Sequence, residues 1–342
     1  MNLDFYVSCV LITLAAFATV LVVAPKVIRR MLAKGVVSPD ANKPGKPLVP
    51  KYGGIALVLG FTIAALISLQ LRSASLNFTL MLAAICSSVI IALVGLVDDV
   101  LDVPDRYRVL LPLFAALPLM VVKAGSSTMN FYLFAINFDL GIYYIPLLGP
   151  ITLNLYGLLL IPLGVVACSN LVNLLAGFNG LEAGVGCVAA FFLALCAVFL
   201  GLQGWPGATE AAFLMFALLG ACAGFLLFNW FPAKAFPGNS VTYLIGAAIV
   251  SAVVIGNFEK AGVIALTPQI AEFFLKARSG FRAENFGKPD ARGRLHYEGN
   301  VYSLTHLLMK RFSPTETGLV LMLLAIQAFF GVLALISVVF FV

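Results

Sequence analysis

Long apolar runs separated by short polar segments extend along the whole 342-residue chain. Each run has about 20 residues, which is the length an α-helix needs to cross a bilayer. The pattern predicts an all-α polytopic membrane protein with about ten spans in one domain, residues 1–342. Closed β-barrels also span membranes, but their short alternating strands are not seen in the pattern. The predicted spans are 4–28, 52–71, 78–97, 107–123, 152–171, 184–202, 209–230, 240–256, 260–277 and 317–341.

The polar segments and the basic residues predict the orientation. Placing the N-terminus outside puts the segments 29–51, 98–108, 170–183, 232–239 and 278–315 on the cytoplasmic side. These segments and their flanks hold most of the 21 Lys and Arg residues, whereas Arg72, Lys123 and Lys260 lie on the other face. The positive-inside rule therefore predicts both termini on the non-cytoplasmic side. An aromatic and β-branched stretch on that side, near 128–147, predicts a small extracytoplasmic hairpin.

Composition narrows the function classes. The chain is 62% hydrophobic and 11% charged, whereas a soluble domain is about half apolar and a quarter charged. Its net charge of +6 gathers on one face, which suits anionic headgroups or an anionic substrate and argues against nucleic acid as a partner. The six cysteines form no Cys-x-x-Cys pair and are interpreted as packing residues.

Two adjacent carboxylates, Asp98 and Asp99, close the third apolar run, and Asp102 and Arg108 follow. Neighbouring carboxylates at a membrane interface repel each other unless they are solvated, paired or bound to a cation. One interpretation is a solvated helix end. The other is a Mg²⁺ and phosphate site, because Mg²⁺ takes one or two carboxylates and shares phosphate oxygens. Arg108 would then add positive charge beside the same phosphates.

Amides are concentrated at the end of the fifth run. Asn170 and Asn173 are three residues apart and share a helix face, and Gly177 and Gly180 flank Asn179. Amides donate and accept without charge, and glycine lets a planar ring approach closely. Such a loop can hold a cation through one amide and read a base through another. Helix capping and turn formation explain one of the three asparagines well and all three poorly.

Three further segments carry candidate chemistry. Phe236 could stack on a planar ring, and Asn239 begins the eighth span, where a helix N-terminus favours anions. Asn239 is equally suited to be an N-cap. The basic segments 39–54 and 278–294 could bind a diphosphate or anionic lipid. All of these features fall on one predicted face, which favours an active site.

Four stretches together resemble the polyprenyl-phosphate N-acetylhexosamine-1-phosphate transferases. They are "LVGLVDDVLD", "NLVNLLAGFNGLEAG", "FPGNSVTYLIG" and "DANKPGKPLVPKYGG". "NLLAGFNGLEAG" and "GNFEKAGVIALTPQ" resemble the branch of UDP-N-acetylglucosamine–dolichyl-phosphate N-acetylglucosaminephosphotransferases. The resemblance covers nearly the whole chain, including ten spans.

This resemblance implies transfer of GlcNAc-1-phosphate from UDP-GlcNAc to a dolichyl-type polyprenyl phosphate, the first step of lipid-linked oligosaccharide synthesis. UMP would leave, and Mg²⁺ or alternatively Mn²⁺ would be the cofactor. The site residues it implies are Asp98, Asp99 and Arg108 for catalysis, Asn173 and Asn239 for the metal, Ala41, Asn42, Gly177, Asn179 and Phe236 for the nucleotide, Arg282 for the donor diphosphate, and Asn170, Asp102 and Glu182 for support.

The chain departs from the family pattern at several positions. Asn239 stands where the family has a metal-binding aspartate, which predicts weaker metal binding. Arg108 replaces a lysine, and Glu284 replaces a second arginine that binds the donor. Direct attack by the lipid phosphate is favoured, with a phospho-Asp98 or phospho-Asp99 intermediate as the alternative.

Other functions remain open at this point. An intramembrane prenyltransferase would use Asp98, Asp99 and Asp102. Such an enzyme also needs a second aspartate-rich loop, and none is found in the sequence. A lipid-phosphate carrier would place charges within its spans, and an inactive paralogue would keep the fold alone. The short loops favour an archaeal-type plasma membrane over the endoplasmic reticulum, and the resemblance implies a homodimer.

Overall fold

The computed structural model describes residues 3–43, 45–71, 76–101, 103–131, 134–145 and 149–341. Helices make up most of these residues. A π-helical turn at Tyr156–Leu160 leads directly into the fifth α-helix. The α-helices are α1 Leu3–Ala33, α2 Ile55–Ser68, α3 Phe78–Leu101, α4 Asp105–Val121, α5 Ile161–Leu174, α6 Leu181–Leu202, α7 Ala208–Asn229, α8 Asn239–Ile255, α9 Glu259–Ala265, α10 Thr267–Ala277, α11 Leu304–Phe312 and α12 Glu316–Phe341.

The described strands form small antiparallel pairs outside the long helices. They are β1 Val37–Pro39, β2 Leu48–Pro50, β3 Thr128–Phe131, β4 Phe134–Asn137, β5 Asp139–Ile145, β6 Gly149–Asn154, β7 Lys288–Pro289 and β8 Leu295–His296. The pairs are β1 with β2, β3 with β4, β5 with β6 and β7 with β8.

The hairpin predicted near 128–147 is two hairpins, β3–β4 and β5–β6, and the second continues to residue 154. Two side-chain turns separate them. The Asn137 amide oxygen accepts the backbone N–H of Asp139, and the Asp139 carboxylate accepts that of Gly141. Such Asx turns end one strand and start another. The aromatic pattern of the sequence gives no sign of this break, so only one hairpin was predicted.

A helix occupies each of the predicted spans. Six helical segments in the described chain are long and apolar enough to cross a membrane: α1, α3, the π-turn with α5, α6, α7 and α12. Shorter apolar helices cover Ile55–Ser68, Leu110–Val121 and Asn239–Ile255. The ninth predicted span is divided between α9 and α10, because Pro268 near the start of α10 has no N–H to continue a helix. The protein is a mostly helical, multi-pass membrane protein, and the count of ten spans and the orientation of its termini stay predictions.

Helix α8 lies in the centre of the bundle, and residues Ser240–Ile255 are all buried. Two glycines bring its backbone close to its neighbours. A Cβ on Gly95 of α3 would lie 2.7 Å from the Asn239 carbonyl oxygen, and one on Gly246 would lie 2.4 Å from that of Cys168 in α5. Close backbone approach at small residues is how membrane helices pack tightly. It fixes the N-terminus of α8 beside the ends of α3 and α5, where the polar motifs lie.

Candidate active site

Asp98 lies in the last turn of α3 and is 3% exposed. Arg108 Nε, on α4, donates to Asp98 Oδ1 at 2.8 Å, and Asn239 Nδ2 donates to Asp98 Oδ2 at 2.8 Å. The hydroxyl of the buried Tyr243 donates to Oδ2 at 3.4 Å. A buried carboxylate needs partners of this kind, and the arginine pair is the strongest of them. Asp98 is therefore a paired charge rather than a solvated helix end.

Asp99 caps the N-terminus of α8. Its carboxylate accepts the backbone N–H groups of Asn239 at 2.9 Å and Ser240 at 3.3 Å. A helix N-terminus attracts negative charge through these unpaired N–H groups and the helix dipole. A Cβ at Gly238 would lie 2.5 Å from Asp99 Oδ2, so the turn before α8 leaves room for the carboxylate only. Asp99 supplies the cap that Asn239 could have provided, and the Asn239 side chain contacts Asp98 instead.

A cleft of about 300 Å³ opens beside this carboxylate pair. Its walls come from the loop that follows α1, the segment joining α5 to α6, the segment joining α7 to α8, and Phe286 in the segment after α10. Seven of the predicted site residues line it: Ala41, Asn173, Gly177, Asn179, Glu182, Phe236 and Asn239. The carboxylate pair adjoins the cleft through Gly238 and Asn239. One face of the molecule therefore gathers groups from segments far apart in sequence.

Asn173 and Asn239 supply neutral oxygen donors to the cleft. The Asn173 amide oxygen accepts the Thr242 hydroxyl at 3.0 Å, and its second lone pair is available to a ligand. The Asn239 nitrogen is committed to Asp98, which leaves its oxygen for the cleft. Among the described residues, no group of three or more His, Cys, Asp and Glu is arranged to hold a metal ion. The donor set fits a hard cation such as Mg²⁺ that takes further ligands from phosphate and water.

Asn179 is held by a buried charged network that the sequence did not reveal. Its backbone N–H donates to Glu316 Oε1 at 2.9 Å, and its side-chain Nδ2 donates to Asp40 Oδ2 at 3.1 Å. Lys43 Nζ bridges the two carboxylates, at 2.5 Å from Asp40 and 3.0 Å from Glu316. Asp40 and Glu316 are each 4% exposed. Asp40 and Glu316 were not predicted as site residues, because an acid in a polar, turn-rich segment is expected to be exposed to solvent.

The loop around Gly177 is fixed by side chains from three directions. Glu182 Oε1 accepts the backbone N–H of Gly177 at 2.9 Å, and Asn42 Nδ2 donates to its carbonyl at 3.1 Å. Gly177 has φ +104°, and a Cβ there would lie 2.9 Å from the Phe286 ring. Only glycine suits this position. Gly177 and the half-buried Phe236 both line the cleft, where the resemblance places the two faces of a base.

The remaining predicted residues lie elsewhere. Arg282 is exposed and does not line the cleft. Asn170 donates its side-chain N–H to the carbonyl of Val166 in its own helix, and Asn42 also lines a neighbouring cavity of about 350 Å³. Asp102 lies outside the described residues. The roles of these four residues stay predictions.

Asn285 is a further contact that sequence reasoning missed. Its Nδ2 donates to the carbonyls of Leu174 at 2.9 Å and Ala176 at 2.7 Å, at the end of α5. The Thr305 hydroxyl donates to the Asn285 carbonyl at 2.8 Å, which ties α11 to the same loop. Burial lowers the pKa of the adjacent His306, whose ring stacks on Tyr297 at 3.7 Å. The segment after α10 is thereby joined to the cleft wall.

Comparison with known proteins identifies the family. Residues 81–257 match the family described as glycosyl transferase family 4. A protein of Saccharolobus solfataricus, provisionally named UDP-N-acetylglucosamine–dolichyl-phosphate N-acetylglucosaminephosphotransferase, is 37% identical over 311 residues, which is 91% of this chain and 90% of the relative. The enzyme of that name from Dictyostelium discoideum is 28% identical, over 68% of this chain and 63% of its own length.

A protein with a different name is also similar to this chain. The phospho-N-acetylmuramoyl-pentapeptide-transferase of Moorella thermoacetica is 31% identical over 255 residues, which is 70% of this chain and 72% of the relative. The matched region runs from α3 to the end of α8 and includes Asp98, Asn173 and Asn239. These similarities confirm the resemblance seen in the motifs, and the chain belongs to glycosyl transferase family 4.

Proposed function

We propose that this protein transfers GlcNAc-1-phosphate from UDP-GlcNAc to a dolichyl-type polyprenyl phosphate and releases UMP. The observation that carries the proposal is the cleft that joins Gly177, Asn179 and Phe236 to the carboxylate end of α3. The names of the relatives from Saccharolobus and Dictyostelium support this donor and acceptor. The product would be the first lipid-linked intermediate of protein N-glycosylation.

The reaction is a phosphoryl transfer between two anions. An oxygen of the lipid phosphate attacks the phosphorus bound to GlcNAc, and a new P–O bond forms. The bond from that phosphorus to the bridging oxygen breaks, and its electron pair leaves with UMP. Such a transfer depends on in-line positioning and on neutralising charge more than on a covalent intermediate.

Different residues near the cleft would bind the uracil and stabilise the charge of the phosphates. Asn179, Gly177 and Phe236 would bind the uracil, while Arg108 adds positive charge beside the acceptor phosphate. Asp98 orients Arg108 through the 2.8 Å pair, and Asp99 fixes the start of α8. These bonds keep the phosphate-binding groups in place before substrate arrives, which is how preorganised electrostatic stabilisation works.

Asn173 and Asn239 would hold a divalent cation, Mg²⁺ or Mn²⁺, together with the donor phosphates. When bound, the cation supplies positive charge that offsets the charge of the diphosphate. Because Asn239 is neutral, the protein contributes less negative charge to this site than an aspartate would. We therefore propose a higher Mg²⁺ requirement than in relatives with aspartate at this position.

The test is UMP release by the purified protein from UDP-GlcNAc and dolichyl phosphate, with and without Mg²⁺. Asn300→Ala, on the exposed segment before α11, is the control for handling and folding. Activity that depends on Mg²⁺ supports the proposal. Activity only in Asn239→Asp would mean that the fold and site are right but the metal position is impaired. If neither the wild-type protein nor Asn239→Asp is active with several lipid phosphates and sugar nucleotides, the carrier or the inactive paralogue is favoured.

The cellular setting is part of the proposal. The relative from Saccharolobus is archaeal, which supports an archaeal-type plasma membrane over the endoplasmic reticulum. Undecaprenyl phosphate in the same assay would test the acceptor, because chain length and saturation are what distinguish the two lipids. Homodimer formation is proposed from the resemblance and is measured by the mass of the purified protein in detergent.

A further inference from the structure

The amide of Asn179 lines the cleft and is held in one orientation. Its Nδ2 donates to Asp40 Oδ2 at 3.1 Å. A carboxylate can only accept hydrogen bonds, so the nitrogen must be the atom that faces Asp40. The opposite orientation would place the amide oxygen against the carboxylate and lose a charge-assisted bond. The carbonyl oxygen of Asn179 is therefore the group presented to a ligand.

Asp40 is itself fixed. It is 4% exposed, and Lys43 Nζ lies 2.5 Å from its Oδ2 atom. The backbone of Asn179 is held separately, because its N–H donates to Glu316 Oε1 at 2.9 Å. Two different acids, bridged by Lys43, thus set the position of the Asn179 backbone and the direction of its side chain. Among the contacts of the described residues, the Asp40 contact alone sets which end of the amide points into the cleft.

We propose that Asp40 is a positioning residue that determines which base the site accepts. By fixing the Asn179 oxygen toward the cleft, it selects a base that offers an N–H at the edge facing that oxygen. Uracil has such a donor at N3, whereas N3 of cytosine carries a lone pair and would repel the oxygen. This inference rests on the proposed function, since it assumes that a uridine nucleotide occupies the cleft.

The experiment measures the affinities of UMP, CMP and 3-methyl-UMP for the full-length protein in detergent. The wild-type protein is expected to bind UMP about tenfold or more tightly than either CMP or 3-methyl-UMP, which both lack the N3 donor. In Asp40→Asn the amide of Asn179 can turn over, and the ratio of CMP to UMP dissociation constants is expected to fall about tenfold. Asp40→Ser, which also removes the carboxylate, is the second variant if Asp40→Asn is not monodisperse.

Two controls separate positioning from general damage. Glu316→Gln weakens the contact to the Asn179 backbone, so affinity for both nucleotides falls while their ratio stays within about twofold. Glu298→Gln neutralises an exposed acid of the segment between β8 and α11 and leaves both affinities unchanged.

The outcomes are distinct. If the wild-type protein prefers UMP and the Asp40 variants keep that ratio, the role of Asp40 is overturned and the uridine donor stands. If wild-type protein binds 3-methyl-UMP as tightly as UMP, no acceptor faces N3 and the inference is again overturned. If the wild-type protein binds none of the three nucleotides, or prefers CMP, the proposed donor itself fails.

Discussion

The carboxylates at the end of α3 and the amides at the end of α5 lie at the same site but differ in what they contact. Asp98 and Asp99 direct their oxygens to protein groups: Arg108, Asn239, Tyr243 and the first N–H groups of α8. Asn173 and Asn179 each have a protein partner for one part of the amide and line the open cleft. Burying a charge without a partner costs much more free energy than leaving one end of a neutral amide unpaired at an open cleft. We therefore propose that the carboxylates organise the site and that the amides bind the ligands.

Asp98→Asn is expected to have the largest effect on this division. It removes the charge that orients Arg108, and the transfer rate is expected to fall about 10²- to 10³-fold. The affinity for UMP should change by less than about threefold, because the base-binding amides are untouched. Rates of UMP release and nucleotide titrations measure the two effects, with Glu298→Gln, which neutralises an exposed acid, as the control. An equal loss of rate and of UMP affinity would contradict the division.

Asn173→Ala tests the amide side. The substitution removes one cleft oxygen and the acceptor for Thr242, so the Mg²⁺ concentration for half-maximal rate is expected to rise about tenfold. Titration of the rate with Mg²⁺ measures it, and Asn300→Ala serves as the amide control outside the cleft. A rate that falls by the same factor at every Mg²⁺ concentration would mean that Asn173 does not act through the cation.

Asn239→Asp replaces a neutral amide of the cleft with a third carboxylate, beside Asp98 and Asp99. Without Mg²⁺, repulsion is expected to lower the stability of the protein by about 1 kcal/mol, seen as a lower apparent melting temperature. With Mg²⁺ the difference should reverse, since a ligand that binds only the folded state stabilises it. Asn300→Asp controls for the added charge. Identical melting curves with and without Mg²⁺ would argue that position 239 does not bind the cation.

Tyr52→Phe is expected to have the smallest effect. The Tyr52 hydroxyl donates to the backbone carbonyl of Asp99 at 2.5 Å, and its loss should cost about 1 kcal/mol of stability. The transfer rate should stay within about threefold, because the Asp99 carboxylate keeps its bonds to α8. Tyr6→Phe, at an exposed position of α1, is the control in thermal unfolding. A rate loss as large as that of Asp98→Asn would show that Tyr52 belongs to the catalytic group.

The helices were predictable because apolar length is a local property of the chain. The division of the ninth span at Leu266–Thr267 was missed, although Pro268 marked it, because the surrounding residues are uniformly apolar. The second hairpin was also missed, since its boundary depends on the side-chain turns at Asn137 and Asp139. The local chemistry of single residues explains both differences: a proline in the first case and two polar side chains in the second.

Within the site, residue types were predictable and partners were not. Asp98, Asn179 and Asn239 attract attention as polar residues at the edges of apolar runs. That Asp99 caps a helix 140 residues later follows only from the packing of α3 on α8. Asp40 and Glu316 were missed because their burial is created by loops that meet in the folded protein. Sequence pattern identifies candidates, and tertiary contact assigns what each one touches.

Glu316 is the first residue of the last helix, and it holds both Lys43 and the backbone of Asn179. The ribosome must therefore synthesise 273 further residues after Lys43 before the two can meet. At roughly 5–20 residues per second, this interval lasts roughly 14 to 55 s. By the end of that time the nascent chain contains the other cleft-lining segments but still lacks the residue that joins them. The loop after α1 and the loop before α6 are therefore joined only after the chain has reached its last helix.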